Sequence, residues 1–250
     1  MAVRYDGGAI GDAPILEGIS NPGRRFTRFD DFLETNPADN GYQLIELNDA
    51  ENDDNPPTAA GADERGGVVL LSTVSAEADD GGQLGSDTEF VKLDKEVYYE
   101  ARIRFASSSA TTPAGAAFVG LSITPGTAAL TTASVHALTD MIGFQIDPDD
   151  SDSLDFVCVK NDTESKLSDI AVIASSSAAT PGKGISDFMK IGFRVRGGEV
   201  TVFVDGESAG TLDTNIPDDE MLGSVIAITN GNTTAACVTA VDYVMISSER

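Results

Sequence analysis

Tryptophan is absent from these 250 residues, histidine occurs once and cysteine twice, and only 16 basic residues stand against 41 acidic ones. Each shortage excludes a class of function. The lone His136 lies among small residues, and nothing in the sequence brings one of the many serines to it, so a Ser-His-Asp triad is unsupported. One histidine with Cys158 and Cys237, far apart in the chain, does not make four convergent nitrogen and sulfur ligands for zinc. A net charge of −25 argues against nucleic acid and against anionic membrane, since phosphate binding needs a concentrated basic surface. No apolar run approaches the ~18 residues that cross a bilayer, and no charged leader followed by an apolar segment opens the chain. The expectation is a soluble chain made in a cytoplasm, with both thiols packed as small hydrophobes. A disulfide between them would need their strands to be neighbours.

What the sequence does contain is a succession of short strand signals. Residues 98–105 alternate, with Tyr99, Ala101, Ile103 and Phe105 pointing one way and Tyr98, Glu100, Arg102 and Arg104 the other. Further strands are expected at 42–47, 68–74, 118–123, 142–146, 154–160, 225–229 and 238–246, with 68–74 apolar enough for burial on both faces. Loops are expected at 48–65, 76–87, 107–117 and 174–184, and one helical turn around 135–138. The stretch 188–212, FMKIGFRVRGGEVTVFVDGESAGTL, fixes a register by itself. A two-residue turn at Gly197-Gly198 sets Arg196 opposite Glu199, Val195 opposite Val200, Phe193 opposite Val202, Ile191 opposite Val204 and Lys190 opposite Asp205. The apolar pairs then share one face, while the other carries the charge pairs and Gly192 opposite Phe203. Asp205-Gly206 supplies a second tight turn. Repeated short strands with turn signals, in a chain of this length, argue for one all-β sandwich.

That meander resembles the corresponding part of laminin-G-like and concanavalin A-like domains, in which a strand of the KIGFRV kind precedes a hydrophobic strand ending in xVDG. With YYEARIRF at 98–105, IGFQID at 142–147, TNIPDDE at 214–220 and VDYVMIS at 241–247, the chain is similar, over roughly residues 26–247, to the version found in virion structural proteins of tailed bacteriophages. The resemblance implies an antiparallel two-sheet β-sandwich, a concanavalin A-like jelly roll, at residues 29–250, behind an extended N-terminal arm at 1–28. It makes the second half of FTRFDDFLE, rather than a helical turn, the first strand. It also implies a non-enzymatic capsid decoration protein on the outside of a bacteriophage shell, assembled in the host cytoplasm. Its partners would be the major capsid protein or other virion proteins, with a homo-oligomer left open. The alternative is a glycan- or receptor-binding, lectin-like module of a tail or fibre.

Charge supports an attachment role for the arm. Through Phe29, Arg4, Arg24, Arg25 and Arg28 outnumber Asp6, Asp12 and Glu17 by one, leaving −26 for the rest of the −25 chain. The four arginines are the expected partner-binding residues, suited to bidentate contacts with carboxylates. Catalysis is not expected. Concanavalin A-like glucanases resemble one another through a Glu-x-Asp-x-Glu motif, whose spacing aims its acids into one cleft. Here Glu100-Ala101-Arg102 and Asp147-Pro148-Asp149 are the nearest approximations, and the absence of tryptophan leaves little for sugar stacking. The acidic run at 147–155, DPDDSDSLD, lacks the glycine and closing glutamate of an EF-hand; an ordinary hairpin turn and a weaker calcium site both remain open. No catalytic residue, cofactor or metal is therefore expected.

Overall fold

The computed structural model describes residues 23–32, 41–47, 58–59, 67–73, 81–107, 115–130, 136–147, 153–172, 188–230 and 237–250. These residues form strands and no helix. In chain order the strands are β1 (Arg25–Asp30), β2 (Tyr42–Leu47), β3 (Thr58–Ala59), β4 (Val69–Ser72), β5 (Gly81–Ser86), β6 (Val91–Lys92), β7 (Val97–Ser107) and β8 (Ala116–Ser122). They continue as β9 (Met141–Ile146), β10 (Ser153–Lys160), β11 (Thr163–Val172), β12 (Met189–Arg196), β13 (Glu199–Val204), β14 (Glu207–Leu212), β15 (Met221–Thr229) and β16 (Cys237–Glu249). Sheet A runs β14-β13-β12-β7-β16-β4-β3, with β1 also on β16, and sheet B runs β11-β10-β9-β8-β15-β5-β2, with β6 also on β15. The pairings are antiparallel, giving the two-sheet sandwich expected from the strand pattern.

The hairpin register holds pair by pair from Ile191 opposite Val204 to Arg196 opposite Glu199. Gly197 and Gly198 both have positive φ, +62° and +80°, the backbone that a two-residue turn needs to match the strands' own twist. Asp205-Gly206 at +48° and +88°, and Asn161-Asp162 at +49° and +60°, repeat the device between β13 and β14 and between β10 and β11. Alternation then sends Tyr99, Ala101, Ile103, Ile191, Phe193, Val195, Val200 and Val202 into the core. From sheet B they meet Leu84, Val119, Leu121, Ile142, Phe144, Phe156, Cys158 and Ile226. Aromatic rings join the sheets. Tyr99 stacks on Phe193 at 5.0 Å and 9°, Phe156 lies 5.4 Å from Phe193, and Phe144 meets Phe156 edge-on at 5.0 Å. Both cysteines are buried, as expected, one on each sheet, and burial pushes the Cys158 thiol up.

Several local expectations need correction. The first strand is the first half of FTRFDDFLE rather than the second, and residues 25–28, assigned to the arm by sequence, pair with β16. Asp30 ends that strand by accepting a hydrogen bond from the Phe32 N–H at 2.9 Å, with Phe32 at φ +50°. In β4 only Val69 and Leu71 are fully buried, so this strand alternates. The largest departure is β5, which falls in the expected loop at 76–87 yet lies between β15 and β2. Glycine is a poor strand former in general, but here its bare backbone is a packing requirement. A Cβ on Gly81 would sit 2.2 Å from the Ile228 carbonyl oxygen, and one on Gly85 1.8 Å from that of Pro125. The charged strand β11 was not anticipated, and 48–65 contains the short β3. Around 135–138, residue 135 lies outside the described residues and residues 136–138 are not helical.

Burial has a consequence at high pH. Desolvation raises the phenol pKa of Tyr42, Tyr99 and Tyr243, with Glu100 adding to the effect at Tyr243. A folded-state pKa above the unfolded one means that stability is fully present below the unfolded tyrosine value and is lost as pH rises through the folded one. Urea midpoints should therefore fall steeply above about pH 10. A flat profile there would show that these phenols ionise in place.

Candidate functional site

Sheet B has a second, outward face, and its chemistry differs from what a glucanase motif would require. On β9 the outward positions are Met141, Gly143 and Gln145, at the alternate spacing where three acids would have to stand. Beside them Gly120 pairs with Gly143, and the Phe118 ring lies against both, 3.0 and 2.9 Å from where their Cβ atoms would be. Phe118, Met141, Val157, Val159, Val225 and Ala227 form a second apolar cluster, closed by Ala129, Leu130 and Leu138 from the segment linking β8 to β9. Gln83 on β5 holds that segment down. Its amide nitrogen donates to the Pro125 and Thr127 carbonyls at 2.9 and 2.8 Å, and its oxygen accepts from the Ala129 N–H at 2.8 Å. His136 of the same segment lies 3.4 Å from Glu164 on β11.

At one end this outward face turns polar. Gln145 on β9 stands directly opposite Asp155 on β10, and Ser153 lies two residues before Asp155 on the same face. Lys166 on β11 brings its ammonium to 2.9 Å from Asp155 Oδ2, while Asp155 Oδ1 accepts from the Asp169 N–H at 2.8 Å. Gln145, Ser153 and Asp155 are 2, 6 and 1% exposed. Neither Gln145 Oε1 nor Ser153 Oγ has a hydrogen-bond partner, whereas Asp155 Oδ2 is neutralised by the Lys166 ammonium. Buried polar atoms are almost always paired, because leaving one unpaired costs about 1–3 kcal/mol. Two such oxygens on adjacent strands, next to the Asp155–Lys166 ion pair, make a cluster of buried acceptors beside an ammonium donor. Each of these residues is a polar interruption on an otherwise apolar strand face. That signal is legible in IGFQID and SLDFVCVK, where the sequence places Gln145 in a strand and Ser153 and Asp155 at the end of the acidic run at 147–155.

The four arginines expected to bind a partner do not form one surface. Arg4 lies outside the described residues, and Arg24 is exposed in the turn before β1. Arg25 is buried, paired with Glu96 at 2.5 Å and set over the Tyr98 ring at 5.0 Å. Arg28, three residues on and therefore on the opposite face of β1, lies over Tyr42 at 4.6 Å and Phe90 at 5.3 Å. Both are engaged by aromatic rings of the chain itself, on opposite faces of the strand. Of the acidic run at 147–155, residues 148–152 lie outside the described residues, Asp147 follows β9, and residues 153–155 open β10. Among the described residues no group of three or more His, Cys, Asp or Glu is placed to hold a metal ion. Residues 206–210 read Gly-Glu-Ser-Ala-Gly, a GxSxG match in sequence. Ser208 sits on β14 opposite Phe203 with no helix following, so it is a hairpin strand and not a nucleophile elbow.

No family model and no curated protein matches the sequence. Solved structures do match in fold. The β-glucanase of Bacillus licheniformis aligns over 88% of this chain and 97% of its own, with 14% identity and a TM-score of 0.57. A mixed linkage glucan GH16 protein of Bacteroides ovatus, solved with a G4G4G3G product, covers 88% and 99% at 11% identity and a TM-score of 0.58. The potassium-bound carbohydrate recognition domain of Emp46p covers 86% and 93% at 10% identity and a TM-score of 0.54. The fold is the concanavalin A-like jelly roll. These findings overturn the expectation of a non-enzymatic capsid decoration protein. The matched structures bear the names of glycosidases and of a carbohydrate recognition domain, and nothing in them places this chain on a virion.

Proposed function

We propose that this jelly roll recognises carbohydrate at the polar end of the outward face of sheet B. The observation that carries the reading is the trio of buried oxygens on Gln145, Ser153 and Asp155 beside the Lys166 ammonium. The Lys166 side chain is the accessible member of the cluster, and a sugar hydroxyl, which both donates and accepts, can pair with the orphan oxygens when a ligand displaces that side chain. A bound cation would have to face Lys166 at close range, which disfavours a metal as the occupant. The glycosidases and the recognition domain that share the fold support the same ligand class.

The test is affinity electrophoresis in gels containing mixed-linkage or β-1,3-glucan, with calorimetry on the matching oligosaccharides and a reducing-sugar assay alongside. Wild type should be retarded and should bind oligosaccharide. Gln145→Leu should bind at least about tenfold more weakly, because a recognised hydroxyl loses its partner. Its melting temperature should hold or rise, since an unpaired buried amide oxygen is replaced by a hydrocarbon of similar size. Absence of binding to every glycan in the panel, or unchanged affinity in Gln145→Leu, would overturn the proposal. Release of reducing ends by wild type would extend it from recognition to hydrolysis.

A further inference from the structure

The ion pair at the polar end of sheet B discriminates between classes of sugar. Asp155 is buried, with Oδ1 bonded by the Asp169 N–H and Oδ2 facing the Lys166 ammonium at 2.9 Å. A carboxylate so placed needs a positive charge beside it, because removing one partner of a buried ion pair leaves the other uncompensated. The partner itself is replaceable. Lys166 comes from β11, the edge strand of sheet B, and its side chain is 27% exposed against 1% for Asp155, so it can swing into water without breaking a strand pairing. Charge in this part of the chain favours a cation in its place. Residues 141–172 hold eight acidic residues and two lysines, and the other lysine, Lys160, pairs with Asp218 and Asp219 at the far end of β10. A neutral sugar that moves Lys166 aside strands the Asp155 carboxylate, whereas a sugar carrying an ammonium replaces charge by charge. A cation beside Lys166 is repelled, but one in its position is not. Lys166 shows that an ammonium fits there, and an ammonium has three N–H donors. The orphan oxygens of Gln145, directly opposite Asp155, and of Ser153 can take the donors that the carboxylate does not.

We propose that this site prefers an amino sugar with a free, protonated amine, which takes the position of the Lys166 ammonium against Asp155. The inference rests on the reading of this end of sheet B as a carbohydrate site and names the sugar class that it selects. Lys166 then acts as an internal stand-in for the ligand's amine.

The experiment measures binding of glucosamine, N-acetylglucosamine and glucose oligomers of equal length, and of cadaverine as an amine without a sugar, by calorimetry and thermal melts. Wild type should bind the glucosamine oligomer at least about tenfold more tightly than either neutral oligomer. Lys166→Met should melt below wild type, because Asp155 is left unpaired. It should bind the glucosamine oligomer about tenfold or more tightly than wild type does, having no side chain to displace, and that ligand alone of the three sugars should restore its melting temperature. Asp155→Asn should lose the preference for the amine. It removes one of 41 acidic residues, so general attraction of a cationic sugar to an acidic chain would survive it. A glucosamine preference that persists in Asp155→Asn therefore overturns the proposal. If amino and neutral sugars bind alike and Gln145→Leu weakens both, the amine falls and the carbohydrate site stands. If cadaverine binds as tightly as the glucosamine oligomer, the sugar is not recognised and both readings fall. Wild type that binds none of the three sugars also overturns both.

Discussion

Phe193→Ala should destabilise the protein by about 3–5 kcal/mol, the cost of truncating a large buried aromatic that its neighbours cannot collapse to replace. Phe193 is fully buried and touches three rings, stacking on Tyr99 from its own sheet and packing against Phe144 and Phe156 from the other. Removing it opens a cavity where the sheets are joined. Arg196→Ala, three residues along the same strand, should cost less than about 1 kcal/mol. Its side chain is 69% exposed and only 3.8 Å from Glu96 at the closest. Chemical denaturation of the two variants decides the matter. Equal losses would mean that the alternation of β12, and with it the assignment of the core, is incorrect.

The contrast between those two residues could be written down before any coordinates, because the hairpin at 188–212 states its register locally. A two-glycine turn and five compatible cross-strand pairs leave one arrangement, and a slip by one residue would put Phe193 in water. The same logic made β7, β9 and β10 readable. It failed where the local signal and the tertiary requirement disagree. At β5 the sequence GGQLGS reads as a turn, and only the approach of Pro125 and Ile228 explains why a strand must be made of glycine. At β1 the aromatic spacing of Phe26, Phe29 and Phe32 suits a helical turn, and the strand is set by pairing with β16, more than two hundred residues away. A partner so distant leaves no mark in the nearby sequence.

The candidate sites were less legible than the fold, for a related reason. Gln145 and Asp155 are single polar residues in apolar strands, and each alone reads as an ordinary interruption. Their meaning comes from the β9–β10 register that sets them side by side and from Lys166 arriving on β11. The arginines Arg25 and Arg28 show the converse error. Counted along the chain they make a basic arm, but in three dimensions they point to opposite faces of one strand, each over an aromatic ring. Charge in sequence is not charge on a surface. The glucanase comparison turned on the same distinction. The absence of Glu-x-Asp-x-Glu was visible at once, whereas the oxygens at the polar end of that face required the structure.

Gly85→Ala is the sharpest test of how the outward face of sheet B is closed, and it should be among the most damaging small substitutions in the chain. The added Cβ would lie 1.8 Å from the Pro125 carbonyl oxygen, a backbone atom that cannot rotate away. Either β5 or the segment carrying Pro125 must move. The second is held by the Gln83 hydrogen bonds to Pro125, Thr127 and Ala129, so those bonds should fail with it. Overpacking of this kind costs about 1–3 kcal/mol, and each buried polar group of Gln83 left unpaired adds a comparable amount. Gly197→Ala is the control. It makes the same chemical change with nothing within 4 Å of the new methyl, and its cost arises only from holding a non-glycine residue at φ +62°. That strain is about 1–2 kcal/mol. Hydrogen exchange separates the two mechanisms. Gly85→Ala should lower the melting temperature further and should expose the Ala129 amide, whereas Gly197→Ala should leave that amide protected. If Gly85→Ala melts like wild type with the Ala129 amide still slow to exchange, the segment is not seated on β5, and the apolar half of this face is open to ligands.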